Sequence, residues 1–392
     1  MNVYLDNQAA RPVDERVISE MLPYFKEKFA NPASLHVDGD IATEILEKSR
    51  RKVADFINTP DASNIVFTSG ATESNNLALI GAANFYKRKG NHIIISEIEH
   101  ISILNIAKYL EKEGFKVDRV PVDRFGIIRL DKLEKLISEN TIIISIATAS
   151  NEVGSIQPIE EISKIAHDRN ILFHTDAVSS QSVVPINVEE IPIDLITLSS
   201  NDIYGPKGVG ALYLRKGVRV NPVIIGGGQE RGFRSGSENI PGIVGFAKAA
   251  EIMKREMPKE VVYLKNLRDK LIENILNTIP KSYLNGHPEK RLAHNAHFRF
   301  DYIEGESLIL ELKGHNIAAA TGSACSSKTL EPSHTLIAMG LLHEEAHGSL
   351  LLTLGRTTME SDINDLIKNL PGAVNRLRMM SPLTPPELLK QI

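Results

Sequence analysis

One cysteine among 392 residues leaves the chain unable to form an internal disulfide, and that fits a reducing compartment. Excess charge of one sign is also missing: 45 Lys and Arg against 49 Asp and Glu give a net charge of −4, with the basic residues scattered among acids. This excludes the concentrated basic footprint of a nucleic-acid binder. No run approaches the roughly 18 apolar residues that a membrane span needs. The opening Met1-Asn2-Val3-Tyr4-Leu5-Asp6 has neither the basic region nor the apolar stretch of an export signal, so a cytoplasmic location is expected. Internal repeats, low-complexity tracts and long linkers are absent too.

What is present is an ordinary globular balance, 42% hydrophobic and 24% charged, at a length that suits two domains or one large α/β unit. From Asn64 to Arg215 short β-branched runs alternate with helical spacing. Ile65–Thr68, His92–Ser96, Thr141–Thr148, Ile171–Ala177, Asp194–Ser200 and Gly208–Leu214 are expected strands, several apolar throughout, as in a parallel sheet buried on both faces. Helices are expected over Glu73–Lys87, Ile101–Glu113, Leu130–Glu139 and Ile159–Asp168, giving an α/β domain with right-handed crossovers. After Gly226-Gly227-Gly228 a long charged helix pattern runs from about Val244 to Ile279, and shorter elements follow to Arg378. A second, smaller domain is expected there.

Four features sit just after expected strands. Ser69-Gly70-Ala71-Thr72-Glu73 opens a helix, where free amides and the helix dipole bind phosphate. Glu99-His100 follows the second strand and could lay an imidazole over an aromatic ring. Asn151-Glu152-Val153-Gly154 follows the third and offers an amide to a phenolic oxygen. Asp176 ends the fourth, where a sheet presents functional groups, and could hold a pyridinium nitrogen protonated. Each has a plain alternative: a helix cap, a satisfied surface histidine, a turn. Their joint appearance points to one cofactor site.

With these residues the chain resembles the NifS/IscS cysteine desulfurases, pyridoxal phosphate enzymes of fold type I and members of the class V aminotransferases. The resemblance covers nearly the whole chain and extends to Asn31-Pro32-Ala33-Ser34-Leu35-His36, Gly226-Gly227-Gly228-Gln229-Glu230 and Thr321-Gly322-Ser323-Ala324-Cys325-Ser326-Ser327. It implies a large domain (14–255) with a mostly parallel seven-stranded sheet. A smaller α+β domain (1–13 with 256–392) would carry the Cys325 loop. It also implies roles: Ala71, Thr72 and Ser199 at the phosphate, with Ser237 donated across a homodimer; His100 stacked on the ring, Asn151 near its oxygen, Asp176 at its nitrogen. Cys325 is then the sulfur-accepting cysteine, L-cysteine the substrate, and an IscU-type iron–sulfur scaffold the partner.

The departures from the pattern cluster. Ser199-Ser200-Asn201-Asp202-Ile203-Tyr204-Gly205-Pro206-Lys207-Gly208 has Asn201-Asp202 where the family has His-Lys, and that lysine forms the Schiff base. A carboxylate cannot form an imine. Lys207 matches the non-catalytic lysine of the Gly-Pro-Lys-Gly turn. Ser179 stands for a glutamine near the phenolic oxygen, Leu351 for the arginine that clamps the substrate carboxylate, and Gln8-Ala9-Ala10-Arg11 for an Ala-Thr-Thr run. Covalent activation and bidentate carboxylate recognition are lost together. A lone cysteine is more often a small buried hydrophobe than a nucleophile, but the Gly, Ser and Ala around Cys325 read as an exposed loop where a thiolate can attack or bind metal. One thiolate cannot hold a [2Fe–2S] cluster, which needs about four ligands, yet it can lend one to a cluster on a scaffold. The expected function is therefore supply of sulfur or a cysteine ligand in iron–sulfur assembly, with pyridoxal phosphate noncovalent or absent. An active desulfurase with unorthodox cofactor use is the alternative.

A remoter one is a zinc metallopeptidase, because His343-Glu344-Glu345-Ala346-His347 fits H-E-x-x-H. The extended pattern fails: Leu350 and Thr353 occupy its glycine and third histidine. A chance match is expected.

Overall fold

The computed structural model describes residues 3–322 and 332–390. The chain opens with β1 (Val3–Tyr4), α1 (Glu15–Met21), α2 (Pro23–Lys26), α3 (Val37–Phe56), β2 (Ile65–Thr68), α4 (Ala71–Tyr86) and β3 (His92–Ser96). It continues through α5 (Ile101–Lys112), β4 (Lys116–Val120), α6 (Leu130–Leu136), β5 (Thr141–Ser145), α7 (Ile159–His167), β6 (Leu172–Asp176), β7 (Leu195–Ser199) and β8 (Gly210–Leu214). Then follow α8 (Ile240–Thr278), β9 (Ser282–Asn285), β10 (Asn295–Phe300), α9 (Gly305–Gly314), β11 (Ile317–Ala318) and α10 (His334–Ala338). Last come α11 (His343–His347), β12 (Ser349–Thr353), α12 (Glu360–Met380) and α13 (Pro386–Leu389).

Seven strands form one sheet in the order β2-β8-β7-β6-β5-β3-β4, the mostly parallel α/β architecture expected. β8 alone runs against its neighbours. β2, β3, β5, β7 and β8 are buried at every position, so both faces of the sheet are covered and alternation is absent from their sequences. One edge is β4, Lys116-Val117-Asp118-Arg119-Val120, whose charges suit an edge strand.

A second core gathers around β12-β10-β9, an antiparallel sheet covered by α9 and α12. Val3 and Leu5 belong to it, and β1 pairs with β11 in parallel. α8 joins the two cores: its residues through Met257 pack in the first, those from Leu264 in the second. Position 255/256, the expected domain boundary, thus falls inside one continuous helix.

No described helix is long and apolar enough to cross a membrane.

Candidate functional site

β2, β3, β5, β6 and β7 run in one direction, so their carboxyl ends share an edge of the sheet. That edge is where open α/β sheets bind ligands. It brings the expected residues together. Asp176 ends β6 and is 8% exposed. Its Oδ2 accepts from Asn75 Nδ2 at 2.8 Å, and its Oδ1 accepts from the Val178 amide at 3.0 Å. Asn75 Nδ2 also donates to Ser102 Oγ at 3.1 Å, and Ser102 Oγ lies 2.8 Å from His100 Nδ1. His100 caps α5, its Nδ1 accepting from the Ser102 amide. Imidazole and carboxylate are thereby fixed through one amide and one hydroxyl. His100, whose plain alternative was a satisfied surface histidine, is half-buried and is the N-cap of α5.

α4 begins at Ala71 after Gly70, a residue with φ of 148° and no side-chain cap. Its first-turn amides at 71–73 have no helical acceptor and remain for an anion. Thr72 is exposed at this turn, and Ala71 is half-buried. Glu73 folds back to accept from the Ser69 amide at 2.8 Å and from Arg234 at 2.9 Å. Thr68, Ser69 and Gly208 share a hollow of about 70 Å³ with Ser237, which is exposed. Asn151 is half-buried in the turn after β5.

Ser199 ends β7, and Asn201-Asp202-Ile203 form a single 3-10 turn closed by Tyr204 at φ 64°. Asp202 is 6% exposed. Burial pushes its carboxyl above the usual range, with Asp176 adding to the rise; Arg11 and hydrogen bonds from Ser199 and Asn201 oppose it. Arg11 is itself buried and donates 2.6 Å to the Asp202 carbonyl and 3.2 Å to that of Asn7. Gln8 Nε2 donates to Ser179 Oγ at 3.1 Å, and Gln8 Oε1 lies 3.4 Å from His294 Nε2. The divergent positions fall in two hydrogen-bonded pairs, 8 with 179 and 11 with 202. Lys207 is exposed.

Glu99 stands out electrostatically. It is 1% exposed, its Oε1 accepts from the Ala147 amide at 2.9 Å, and burial pushes it up to about 8.

Cys325 lies outside the described residues. The chain approaches it past Ala320, bridged to Leu351 of β12, and Gly322 at φ 82°. A Cβ at Gly322 would stand 2.8 Å from His297 Nε2 and 2.9 Å from Glu152 Cγ, so only glycine fits. Glu152 is pushed up to about 7 by burial, eased by Ser333 and Thr335. His334 Nε2 lies 3.1 Å from the Glu99 carbonyl. Both flanks of the segment are anchored beside the site. Leu351 is 5% exposed.

Asn75, Ser102 and Arg11's contact with residue 202 were not foreseen. Asn75 is buried in the second turn of α4 between Ser74 and Asn76, a weak signal in sequence. His343, Glu344 and His347 are exposed on a helix of five residues, where Glu345 accepts from the Leu342 amide. Among the described residues no group of three His, Cys, Asp or Glu could hold a metal ion.

A sheet of this topology with an acid at a strand end and an open helix start defines a pyridoxal-phosphate-type fold. The profile of the aminotransferase class-V family matches residues 3–366. Among curated proteins, "Cysteine desulfurase IscS 1" of Archaeoglobus fulgidus is 56% identical over 97% of this chain and 99% of its own length. "Cysteine desulfurase IscS" of Methanosarcina thermophila is 49% identical over 98% and 95%. A solved NifS-like protein superposes with a TM-score of 0.90 at 38% identity, over 96% of this chain and all of its own. The chain belongs to the NifS/IscS family of cysteine desulfurases, whose cofactor is pyridoxal phosphate.

The residues present fit that cofactor at two ends. The free amides of α4 suit its phosphate, and Asp176, held by two neutral donors, suits a protonated ring nitrogen. At position 202 a buried carboxyl offers no amine to bond a carbonyl carbon.

Proposed function

We propose that this chain serves iron–sulfur cluster assembly as a desulfurase-family protein that has given up the lysine bonded to the cofactor. In this reading Cys325 supplies sulfur, or one cysteine ligand of a [2Fe–2S] cluster, to an IscU-type scaffold. The observation that carries it is the buried Asp202 carboxyl beside Asp176, with Arg11 from the N-terminal segment bonded to the Asp202 backbone carbonyl. Positions 11 and 202, both departures from the family pattern, are joined by a hydrogen bond, which is more than decay of a single residue.

Residues that would hold pyridoxal phosphate noncovalently are Ala71 and Thr72 at the phosphate, Asp176 at the ring nitrogen and His100 over the ring. Ser199, Asn151 and, from a second copy, Ser237 complete the set. When bound, the cofactor withdraws electrons from a substrate amine. Asp176 keeps its position through Asn75 and the Val178 amide, and His100 keeps its orientation through Ser102. Glu99, pushed up to about 8, holds a proton at neutral pH. Leu351 offers no charge to a substrate carboxylate.

A homodimer is part of the proposal. Leu22, Phe25, Phe29, Leu35 and Val37 leave large apolar side chains exposed within one segment, and Ile225 is 87% exposed. The second reading, an active desulfurase with noncovalent cofactor, is favoured by the complete Asp176–Asn75–Ser102–His100 network.

The test mixes wild type and Cys325→Ala with an IscU-type scaffold under anaerobic conditions. Complex formation should be nearly unchanged, while cluster lifetime and sulfide incorporation fall sharply for the variant. Equal cluster lifetime and equal incorporation would remove Cys325 from the function. Sulfide released catalytically from L-cysteine by the wild type would favour the second reading.

A further inference from the structure

Around Asp202 several buried acceptors of the described residues have no donor, and the Ser200 hydroxyl is also without a partner. Neither Asp202 nor Asp176 has an ion pair: the one buried cation close by, Arg11, spends its hydrogen bonds on the carbonyls of Asp202 and Asn7. Gln181 is fully buried; its Nε2 donates 2.7 Å to the Ser199 carbonyl, while its Oε1 has no partner. Asn75 is fully buried as well; its Nδ2 holds Asp176 and its Oδ1 has no partner. Asn201 Oδ1 is likewise unpartnered. A buried polar atom left this way costs free energy unless a ligand satisfies it. Two carboxyls and three orphaned amide oxygens complement a group with several N–H donors and a positive charge, such as a primary ammonium.

We infer that Asp202 makes the pocket selective for the amine form of the cofactor, pyridoxamine 5′-phosphate, over the aldehyde form. This rests on the reading that the pocket holds a pyridoxal-type cofactor noncovalently. The two forms share phosphate, ring nitrogen and phenolic oxygen, which Ala71–Glu73, Asp176 and Asn151 meet identically. They differ at one carbon: the aldehyde brings an acceptor to a site already rich in acceptors, whereas the aminomethyl group brings three donors and the missing cation. A lysine at position 202 would reverse the preference, because it bonds the carbonyl and repels the ammonium. No covalent step is involved.

The experiment is titration of the purified, cofactor-stripped protein with pyridoxamine 5′-phosphate, pyridoxal 5′-phosphate and pyridoxine 5′-phosphate, followed by calorimetry and equilibrium dialysis. Wild type should bind the amine about tenfold to a hundredfold more tightly than the aldehyde or the alcohol, the range of a hydrogen bond to a charged group. Asp202→Asn should bring the three within about threefold of one another, because the charge is lost while shape and phosphate contacts stay. L-Cysteine at millimolar concentration, whose ammonium lacks the ring, should not displace the amine form. Equal affinity of wild type for amine and alcohol, or a preference that survives in Asp202→Asn, overturns the inference and leaves the pocket reading intact. Failure to bind any of the three overturns both.

Discussion

Replacing Arg11 by methionine isolates the new arrangement around residue 202. Arg11 is 4% exposed and donates to the Asp202 carbonyl at 2.6 Å and to the Asn7 carbonyl at 3.2 Å. Its guanidinium also sits 5.2 Å from the centre of the Tyr204 ring. Two hydrogen bonds from a cation are worth about 1.5–3 kcal/mol each, and the ring contact adds about 1 kcal/mol. Against this, methionine spares the cost of burying a cation with no carboxylate pair, several kcal/mol in an idealised interior. The net loss is about 2–4 kcal/mol, above the ordinary effect of a point substitution. Urea unfolding of wild type and variant, followed by circular dichroism, measures it. A second consequence is electrostatic. Arg11 opposes the rise at Asp202, so its removal moves that carboxyl further up. A loss of less than about 0.5 kcal/mol would refute the reasoning, since that is the range of an uninvolved surface residue.

Glu99, raised to about 8 by burial, makes stability fall with pH. The folded state keeps this proton where an unfolded glutamate has released it, so its contribution is full below about 4.5 and is lost as pH rises to about 8. Glu99→Gln should flatten that part of the stability profile; an unchanged slope between pH 5 and 8 would count against it. Asp202→Lys should restore tight binding of pyridoxal phosphate, because Thr72, Asp176 and Ser199 remain, while turnover of free cysteine stays poor. Adding Leu351→Arg should then lower KM more than it raises kcat, as uniform carboxylate binding requires. If the single lysine variant already equals the double, position 351 has another role.

The sheet was legible because its central strands are buried on both faces. His92-Ile93-Ile94-Ile95-Ser96 and Thr141-Ile142-Ile143-Ile144-Ser145 are apolar runs that suit a covered strand. β4 was missed for the opposite reason: at an edge it carries Lys116, Asp118 and Arg119 and leaves two apolar positions for pattern reading. α3 was missed although it has 20 residues, since Glu44-Ile45-Leu46-Glu47-Lys48-Ser49-Arg50-Arg51-Lys52 reads as solvated surface. Arg50 is in fact 2% exposed, paired at 2.6 Å with Glu230 from a loop far away in sequence. The expected strand Thr141–Thr148 ends at Ser145, and the freed residues carry the turn to Asn151.

What was legible of the candidate site is the placing of His100, Asn151 and Asp176 at or just after the ends of strands. Its supporting contacts were not, because they join distant segments. Asn75 reaches Asp176 across 101 positions, and Arg11 reaches Asp202 across 191. Spacing within one segment holds no trace of such pairs.

Reduction with borohydride in the presence of pyridoxal phosphate, followed by peptide mass spectrometry, tests the central claim most directly. With Asp202 in place, no lysine of the chain should carry a phosphopyridoxyl group beyond the level of a non-cofactor protein treated alike. Asp202→Lys should carry one at position 202. Stoichiometric labelling of wild type, at Lys207 or any other lysine, would contradict the account.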